Sequence, residues 1–384
     1  MSEPIVQLTA NDFEDAMDFL NLVFSVHGPH DFARLLPKVY RPTDEHMQHN
    51  YAIKRNGRIR AMVGLFPMTL VIGGTFLKLA GIGGVSSHPN DRGMGHMKRL
   101  MQHCVEVMKA DNYQLSWLDG QRQRYGYFGY ETCGQRISAN FEKANIKHLN
   151  YEPDSVQFIK VDKNDLEWLR HINVLHENQP IHVRRSAHDF YHFATSWKSS
   201  LYIAVEDQTH ILGYLIYQHA QQKLTECVAV SKTATERMLH AWISASENEP
   251  WWVNIPPIQH DVFAAITSIC EFPQVTPLGC WQIFDWPRVL SATLALKNQY
   301  SDPMDGSVTV EIPKVGTLLL EVREEKVSCQ WVSNEPDLTL DSSTAMRLFF
   351  GPLSASSVAH LPGSAKILEA WCPLPLYLSR PDWV

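Results

Sequence analysis

The sequence predicts a mixed α/β chain of the α+β kind, and three observations predict it. A Gly73-Gly74 pair stands between two apolar runs, Thr69 to Ile72 and Thr75 to Leu79, the pattern of a two-residue hairpin joining antiparallel strands. A glycine-containing loop, Arg92-Gly93-Met94-Gly95-His96-Met97, follows the next strand. Beyond it Met97, Leu100, Met101, Cys104, Val105 and Met108 recur at the i, i+3, i+4, i+7 spacing of an amphipathic helix, which Asn112 closes.

Strand, tight loop and helix start, in that order, make a phosphate cradle. Gly93 and Gly95 carry no side chain, so the loop's backbone N–H groups can turn inward and approach an anion. The helix start adds unpaired donors and the positive end of its dipole, and Arg92 adds a full charge. Two other glycine loops are excluded. A Walker A loop needs Lys and then Ser or Thr after its second glycine, whereas Gly95 is followed by His96-Met97. A dinucleotide fingerprint needs a third glycine three positions on, where Lys98 stands.

The remaining elements follow in chain order. Phe13, Ala16, Met17, Leu20, Val23 and Phe24 form the apolar stripe of an opening helix. The stretch from Phe24 to Pro42, interrupted by Pro29 and Pro37, is expected to be mobile and to wall a substrate pocket. Leu115 to Asp119 reads as a buried strand, followed by Tyr125-x-x-x-Gly129-Tyr130. Tyr202 to Asp207 and Ile211 to Tyr217 then form a second hairpin, Glu226 to Val230 a strand, and Thr235 to Ala245 a helix with Met238, Leu239, Trp242 and Ile243 on one side. Strand and helix are joined by Ser231-Lys232-Thr233-Ala234, which repeats the logic of the cradle without its glycines. From Asp285 a helix opens with Pro287 in its first turn, strands follow over Ser307 to Ile312 and Gly316 to Val322, and short helices over Ser343 to Phe350 and Ser354 to Leu361. A length of 384 residues calls for two or three domains. They are placed at residues 1–145, 146–284 and 285–384.

Composition narrows the function classes. The apolar fraction of 45% and charged fraction of 20% belong to an ordinary globular chain. A net charge of −7, with dispersed Lys and Arg, argues against nucleic-acid binding and favours cationic partners. Cys104, Cys133, Cys227, Cys270, Cys280, Cys329 and Cys372 form no Cys-x-x-Cys pair, as expected of reduced thiols in a cytoplasmic protein. The N-terminus lacks a basic stretch followed by an apolar run, so no secretory signal is expected. The most apolar window, Ala61 to Leu77, contains Pro67 and the Gly-Gly hairpin and reads as sheet rather than membrane span. His188-x-x-x-His192 has the spacing of two metal ligands on a helical face but no third ligand nearby, so no metal is expected; His46, His49, His171 and His176 read the same way.

The loop from Arg92 to Met97 resembles the pyrophosphate loop of the GNAT superfamily of acyl-CoA-dependent N-acetyltransferases, with Met97 where that family usually has Gly or Ala. Tyr125-x-x-x-Gly129-Tyr130 is similar to the Tyr-x-x-x-Gly-Phe segment that closes the GNAT core. A GNAT domain, a second GNAT-like domain without a cofactor loop, and a sterol-carrier-protein-like domain, in that order, resemble the Eis-like (enhanced intracellular survival) N-acetyltransferases over essentially the whole chain. The resemblance implies acetyl transfer from acetyl-CoA to a small-molecule primary amine (polyamine, aminoglycoside or lysine-like) and a homo-oligomer, often a hexamer. It implies acetyl-CoA contacts from backbone groups of Val85, Ser87, Gly93, Gly95, His96 and Met97, with Arg92 at the pyrophosphate.

An amine attacks a thioester only when neutral, so such a site must accept a proton from the ammonium and supply one to the departing thiolate. Tyr125, with an ordinary pKa of about 10, can supply it, and the resemblance places it at the sulfur. The resemblance assigns the base to the carboxylate of the last residue, here Val384, behind a tail stiffened by Pro375 and Pro381 and anchored by Trp383. Asp119, at the end of the buried strand, is the alternative base. An alternative of another class is a carrier of lipid or small apolar ligands working through the third domain, with a vestigial first domain.

Gly95→Asp is expected to abolish acetyl-CoA binding, because a branched anionic side chain would occupy the phosphate position and repel it. Isothermal titration of the folded variant with acetyl-CoA checks this, and unchanged affinity would remove the cradle.

Overall fold

The computed structural model describes residues 3–25, 28–147, 155–207, 209–245, 251–301, 304–324 and 326–384. Met1 and Ser2, at the terminus searched for a signal, and Val26 and His27, in the proline-interrupted stretch, lie outside the described residues.

Alternating apolar residues build the first strands: β1 (Ile5–Gln7), β2 (Asn50–Arg55), β3 (Arg58–Ile72), β4 (Thr75–Ser87), β5 (Leu115–Leu118) and β6 (Glu131–Thr132). The β3–β4 hairpin forms where expected. Gly73 and Gly74 hold φ of 54° and 81°, the left-handed pair that a type I′ turn requires. Farther along, Met62 faces Ser86 but Gly64 faces Gly83, so β4 carries one extra residue in a bulge where Gly84 has φ 58°. β5 joins β4 in parallel from Leu79↔Leu115 to Gly81↔Trp117, after which β4 runs on to Ser87 paired with β3 only. The ladder therefore opens beyond Gly81. The helix His96–Ala110 connects the two strands and buries Leu100, Met101, Cys104, Val105 and Met108, the face expected from their spacing.

The chain continues through β7 (Arg136–Phe141), β8 (Val156–Lys160), β9 (Ile181–Val183), β10 (Ser199–Glu206), β11 (His210–Gln218), β12 (Lys223–Ala229), β13 (Trp251–Ile255), β14 (Pro273–Thr276) and β15 (Cys280–Ile283). The two sheets have the orders β1-β2-β3-β4-β5-β15-β6, with β9 on β3, and β8-β10-β11-β12-β13-β7-β14. These are the same arrangement twice. β12 and β13 pair in parallel only at Lys223↔Trp252 and Leu224↔Val253, and the helix Lys232–Ala245 connects them as His96–Ala110 connects β4 to β5.

Each unit also lends the other a strand. β15 lies between β5 and β6, and β7 lies between β13 and β14. The division between the sheets thus falls at residues 133–135, ahead of the boundary at 145 read from sequence. β7 lies before that boundary yet belongs to the second sheet, whereas β9 and β15 lie after it and belong to the first. A short strand's alternation reports which face is buried, and it says nothing about which sheet does the burying.

The third unit begins with the helix Trp286–Tyr300, where Pro287 sits in the first turn and Asp285 accepts from the Arg288 N–H at 3.2 Å. Its sheet has the order β18 (Lys326–Val332), β17 (Gly316–Arg323), β16 (Gly306–Ile312) and β19 (Leu338–Thr339), followed by the helices Ser342–Phe350 and Ala355–Val358. One core unites this unit with the first sheet, since Trp117, Trp281, Leu294, Leu320, Phe349 and Trp371 belong to a single buried cluster. After the short helix Leu368–Trp371 the chain runs between the units to buried Asp382 and Trp383 and a half-buried Val384. All seven cysteines are unpaired. Among the described residues no helix is long and apolar enough to cross a membrane.

Candidate active site

The loop after β4 is open to ligand. Gly93 and Gly95 have φ of 84° and 79°, and the space in front of each is empty out to 4 Å. The N–H groups of Gly93, Gly95, His96, Met97 and Lys98 meet no acceptor among the described residues, leaving a cluster of donors at a helix N-terminus. Ser87, Met97, Lys98, Arg124, Tyr127 and Phe128 line the adjoining groove, of about 430 Å³. Its carboxylate, Asp91, is already neutralised by Arg60 at 2.5 Å and Arg55 at 3.6 Å, which leaves the groove cationic. Arg92 is exposed beside the loop. The donor set and charge suit the pyrophosphate of a coenzyme A thioester.

The other residues read from sequence divide between groove and core. Val85 follows the Gly84 bulge and is half-buried against the core that includes Leu100 and Met101. The His96 imidazole is buried with neither nitrogen hydrogen-bonded, so only its backbone faces the groove with a free donor. Tyr125 lies on the short helix Arg122–Gly126, 8% exposed, and its ring covers Gly120 so closely that a Cβ there would overlap it. Burial raises the Tyr125 pKa, which keeps the phenol protonated at neutral pH. Tyr127, two residues on, is exposed beneath Lys98, whose Nζ is 4.7 Å from the ring centroid.

The end of the chain reaches the same strand from the other direction. Gly81 and Gly83 point to one face of β4, and Val384 lies against them. A Cβ on Gly83 would stand 2.7 Å from the terminal carboxyl carbon and 3.0 Å from an oxygen, and a Cβ on Gly81 would stand 2.7 Å from a Val384 methyl. Val384 therefore meets β4 where the ladder opens, about 13 Å along the strand from Ser87. Asp119 is exposed at the end of β5, and its charge acts on both Arg380 and Tyr125.

A buried ionic cluster holds this tail. Arg185 donates to Asp382 at 2.9 and 2.8 Å and to Glu226 at 3.1 and 2.6 Å. Lys38 donates to the Pro381 carbonyl. The Tyr214 hydroxyl donates to Glu226 at 3.0 Å and contacts His176 at 3.2 Å. Burial pushes the Lys38 pKa well down and the Asp382 pKa up. Burial also opposes ionisation of Glu226, but Arg185 outweighs it and holds that carboxyl at about 2. The last turn is held by aromatic rings. Arg380 lies between Trp197 and Trp383, 4.0 and 4.4 Å from their centroids, and Trp197 Nε1 donates to the Trp383 carbonyl at 3.2 Å.

A cavity of about 140 Å³ adjoins Val384, with Lys38, His46, His49, Phe66 and Phe193 among its walls. Burial lowers the pKa of both histidines, favouring their neutral forms. Lys38 comes from the stretch expected to wall a pocket; the other four come from outside it. Sequence reasoning did not single out Arg185, Glu226, Asp382 or Tyr40, whose buried hydroxyl sits beside Gly84 without a protein partner. One signal was available: glycines two apart in an apolar strand, Gly81 and Gly83, mark a close approach on one face.

Residues 4–133 match the family described as the acetyltransferase (GNAT) domain. No curated protein matches the chain in sequence. Among solved structures, a GCN5-related N-acetyltransferase from Kribbella flavida is 17% identical with a TM-score of 0.70, covering 99% of this chain and 100% of its own. A GCN5-related N-acetyltransferase from Anabaena variabilis is 16% identical with a TM-score of 0.73 over 99% and 100%. Eis1 from Mycobacterium abscessus is 14% identical with a TM-score of 0.68 over 98% of both chains. At these identities the likeness is one of fold. The first unit is a GNAT acetyltransferase domain, and the chain is an enzyme of the acyl-transferring class built on a fold shared end to end with Eis1.

Gly83→Ala is expected to cut turnover sharply with little effect on acetyl-CoA affinity, because the added methyl displaces the Val384 carboxyl while the open loop is untouched. Parallel measurement of coenzyme A release and acetyl-CoA titration checks it; full turnover would mean that the close contact has no role in catalysis.

Proposed function

We propose that the protein is an acetyl-CoA-dependent N-acetyltransferase acting on primary amines of the polyamine, aminoglycoside or lysine-like kind. The observation that carries this reading is the half-buried terminal carboxyl of Val384 at the opening of the β4–β5 ladder, on the strand that leads into the anion-binding loop.

Bound acetyl-CoA supplies the thioester and its acetyl group. Backbone donors of Gly93, Gly95, His96 and Met97 and the charge of Arg92 hold its pyrophosphate, while Val85 and Ser87 at the end of β4 offer backbone groups to the arm. Val384 accepts the proton that the attacking ammonium must lose. A free α-carboxyl has a pKa of about 3.5 and is a weak base at neutral pH, so it works by being held where the amine loses its proton. Tyr125, kept protonated by its burial, donates to the departing sulfur. The cavity beside Val384 receives the amine. Asp119 remains the second candidate for the base, although it is exposed. A carrier role for residues 285–384 finds less support, because Val308, Val310, Leu318, Leu320 and Phe349 fill the interior of that unit.

The base assignment is tested by extending the chain with a short C-terminal tag. The tag converts the Val384 carboxylate into an amide, so coenzyme A release with spermidine, kanamycin or a lysine peptide should collapse while acetyl-CoA still binds. Equal turnover with and without the tag would move the base to Asp119.

Tyr125 is tested by pH. The acid works only while protonated, so turnover is present below its pKa and falls as pH rises through it, and the raised value places that fall above about 10. Tyr125→Phe should lower kcat by about 10²–10⁴-fold and abolish the alkaline fall with acetyl-CoA affinity unchanged. If Tyr127→Phe loses activity instead, the acid lies two residues farther along.

A further inference from the structure

The second unit repeats the architecture of the first, and its opening between parallel strands holds protein. β12 and β13 stop pairing after Leu224↔Val253, and the next residues of β12 face the chain's own tail. Thr225, Glu226 and Cys227 share a remnant void of about 20 Å³ with His176, Tyr377 and Ser379, small beside the groove of about 430 Å³ at the loop of the first unit. The helix that follows carries a side-chain cap, the Ser231 hydroxyl accepting from the Ala234 N–H at 3.1 Å. In the first unit the equivalent helix start keeps its donors free.

The contact between this filled opening and the tail is ionic and deeply buried. The Arg185 side chain is fully buried, with Glu226 and Asp382 side chains 6% and 1% exposed. Arg185 pairs with both Glu226 and Asp382, and the Lys38 ammonium group meets the Pro381 carbonyl beside them. Without Arg185 the two carboxylates would oppose each other out of reach of water, a cost relieved most directly by releasing the one at the end of the chain. That end is the tail. Only Trp383 separates Asp382 from Val384, so fixing Asp382 fixes the terminal carboxyl.

We propose that the second unit has become a socket for the C-terminal tail, and that Arg185, oriented by Glu226, is the positioning residue that sets the Val384 carboxylate against β4. This rests on Val384 as the base. It assigns a task to a unit whose own helix start is capped, and it couples all three units at one guanidinium.

The test uses the full-length chain and two independent readouts. Treatment with carboxypeptidase followed by mass measurement reports whether Val384 is held. Steady-state kinetics, with the fastest acceptor among spermidine, kanamycin and a lysine peptide, report kcat and the acetyl-CoA KM separately. The wild type should resist trimming. Arg185→Met should release Val384 rapidly and lower kcat by about 100-fold or more, the range expected when a general base is lost, with the acetyl-CoA KM within about twofold. A general loss of structure would move both parameters and the melting temperature together. Asp382→Asn and Glu226→Gln perturb the same cluster more mildly and serve if Arg185→Met does not fold. Both should trim faster than wild type, Asp382→Asn more so.

Trimming of the wild-type tail at the rate of the variants would overturn the proposal. So would variants that stay protected with kcat within twofold of wild type. If deletion of Val384 leaves kcat intact, the base assignment fails alone, and rapid trimming of Arg185→Met would still support the socket.

Discussion

The closeness of Val384 to β4 is the constraint on which the rest of the site depends. A terminal carboxyl can lie against a strand only where that strand has no side chains on the facing side, and Gly81 and Gly83 clear that side. One edge of β4 is also open there, because the ladder to β5 ends at Gly81↔Trp117 while β3 stays paired on the other edge. Trp383 then packs against Trp117, with ring centroids 4.8 Å apart, at the last paired position of β5. The tail thus lies against the strand pair where it opens, beside the route that leads along β4 to the phosphate loop.

Holding a carboxyl there carries an electrostatic cost, because a charge is drawn partly out of water. The Lys38–Arg185–Glu226–Asp382 cluster shows how the fold meets the same cost at the neighbouring acid. Arg185 pairs with both acids, and the carboxylate oxygens of Asp382 and Glu226 all accept hydrogen bonds. Such a cluster adds little net stability over apolar packing but punishes every misplacement of its members. Its value here is geometric, since it admits one position of the tail. Phe190 and Phe193, 5.2 and 5.7 Å from the Arg185 guanidinium, add aromatic faces to its surroundings.

The strand exchange serves the same end. With β15 inside the first sheet and β7 inside the second, neither unit has a complete sheet of its own. Trp281 of β15 is fully buried beside Trp117 and donates to the Leu278 carbonyl at 2.8 Å. Relative movement of the units would break ladder hydrogen bonds in both sheets, so a tail braced on the second unit keeps its place against the first.

What the sequence determined by itself is what local periodicity and backbone chemistry carry. The Gly73-Gly74 turn, the glycine loop from Arg92 to Met97, the helix from His96 and the buried run at Leu115 each rest on neighbours within a few positions, and each stands where the residues placed it. Length and pattern also showed a second unit without a glycine loop. Only the tertiary structure decided which sheet owns β7, β9 and β15, because a strand's alternation is the same whichever partner it takes. Only the tertiary structure assembled Arg185 with Glu226 and Asp382, 41 and 197 residues away along the chain, or Lys38 with Pro381, 343 residues apart. Ionic partners at such separations leave no periodic trace. The carboxyl of Val384 is the limiting case: its nearest neighbours along the chain explain how it is anchored, and the glycines that make room for it lie three hundred residues earlier, brought into contact by the packing of three units.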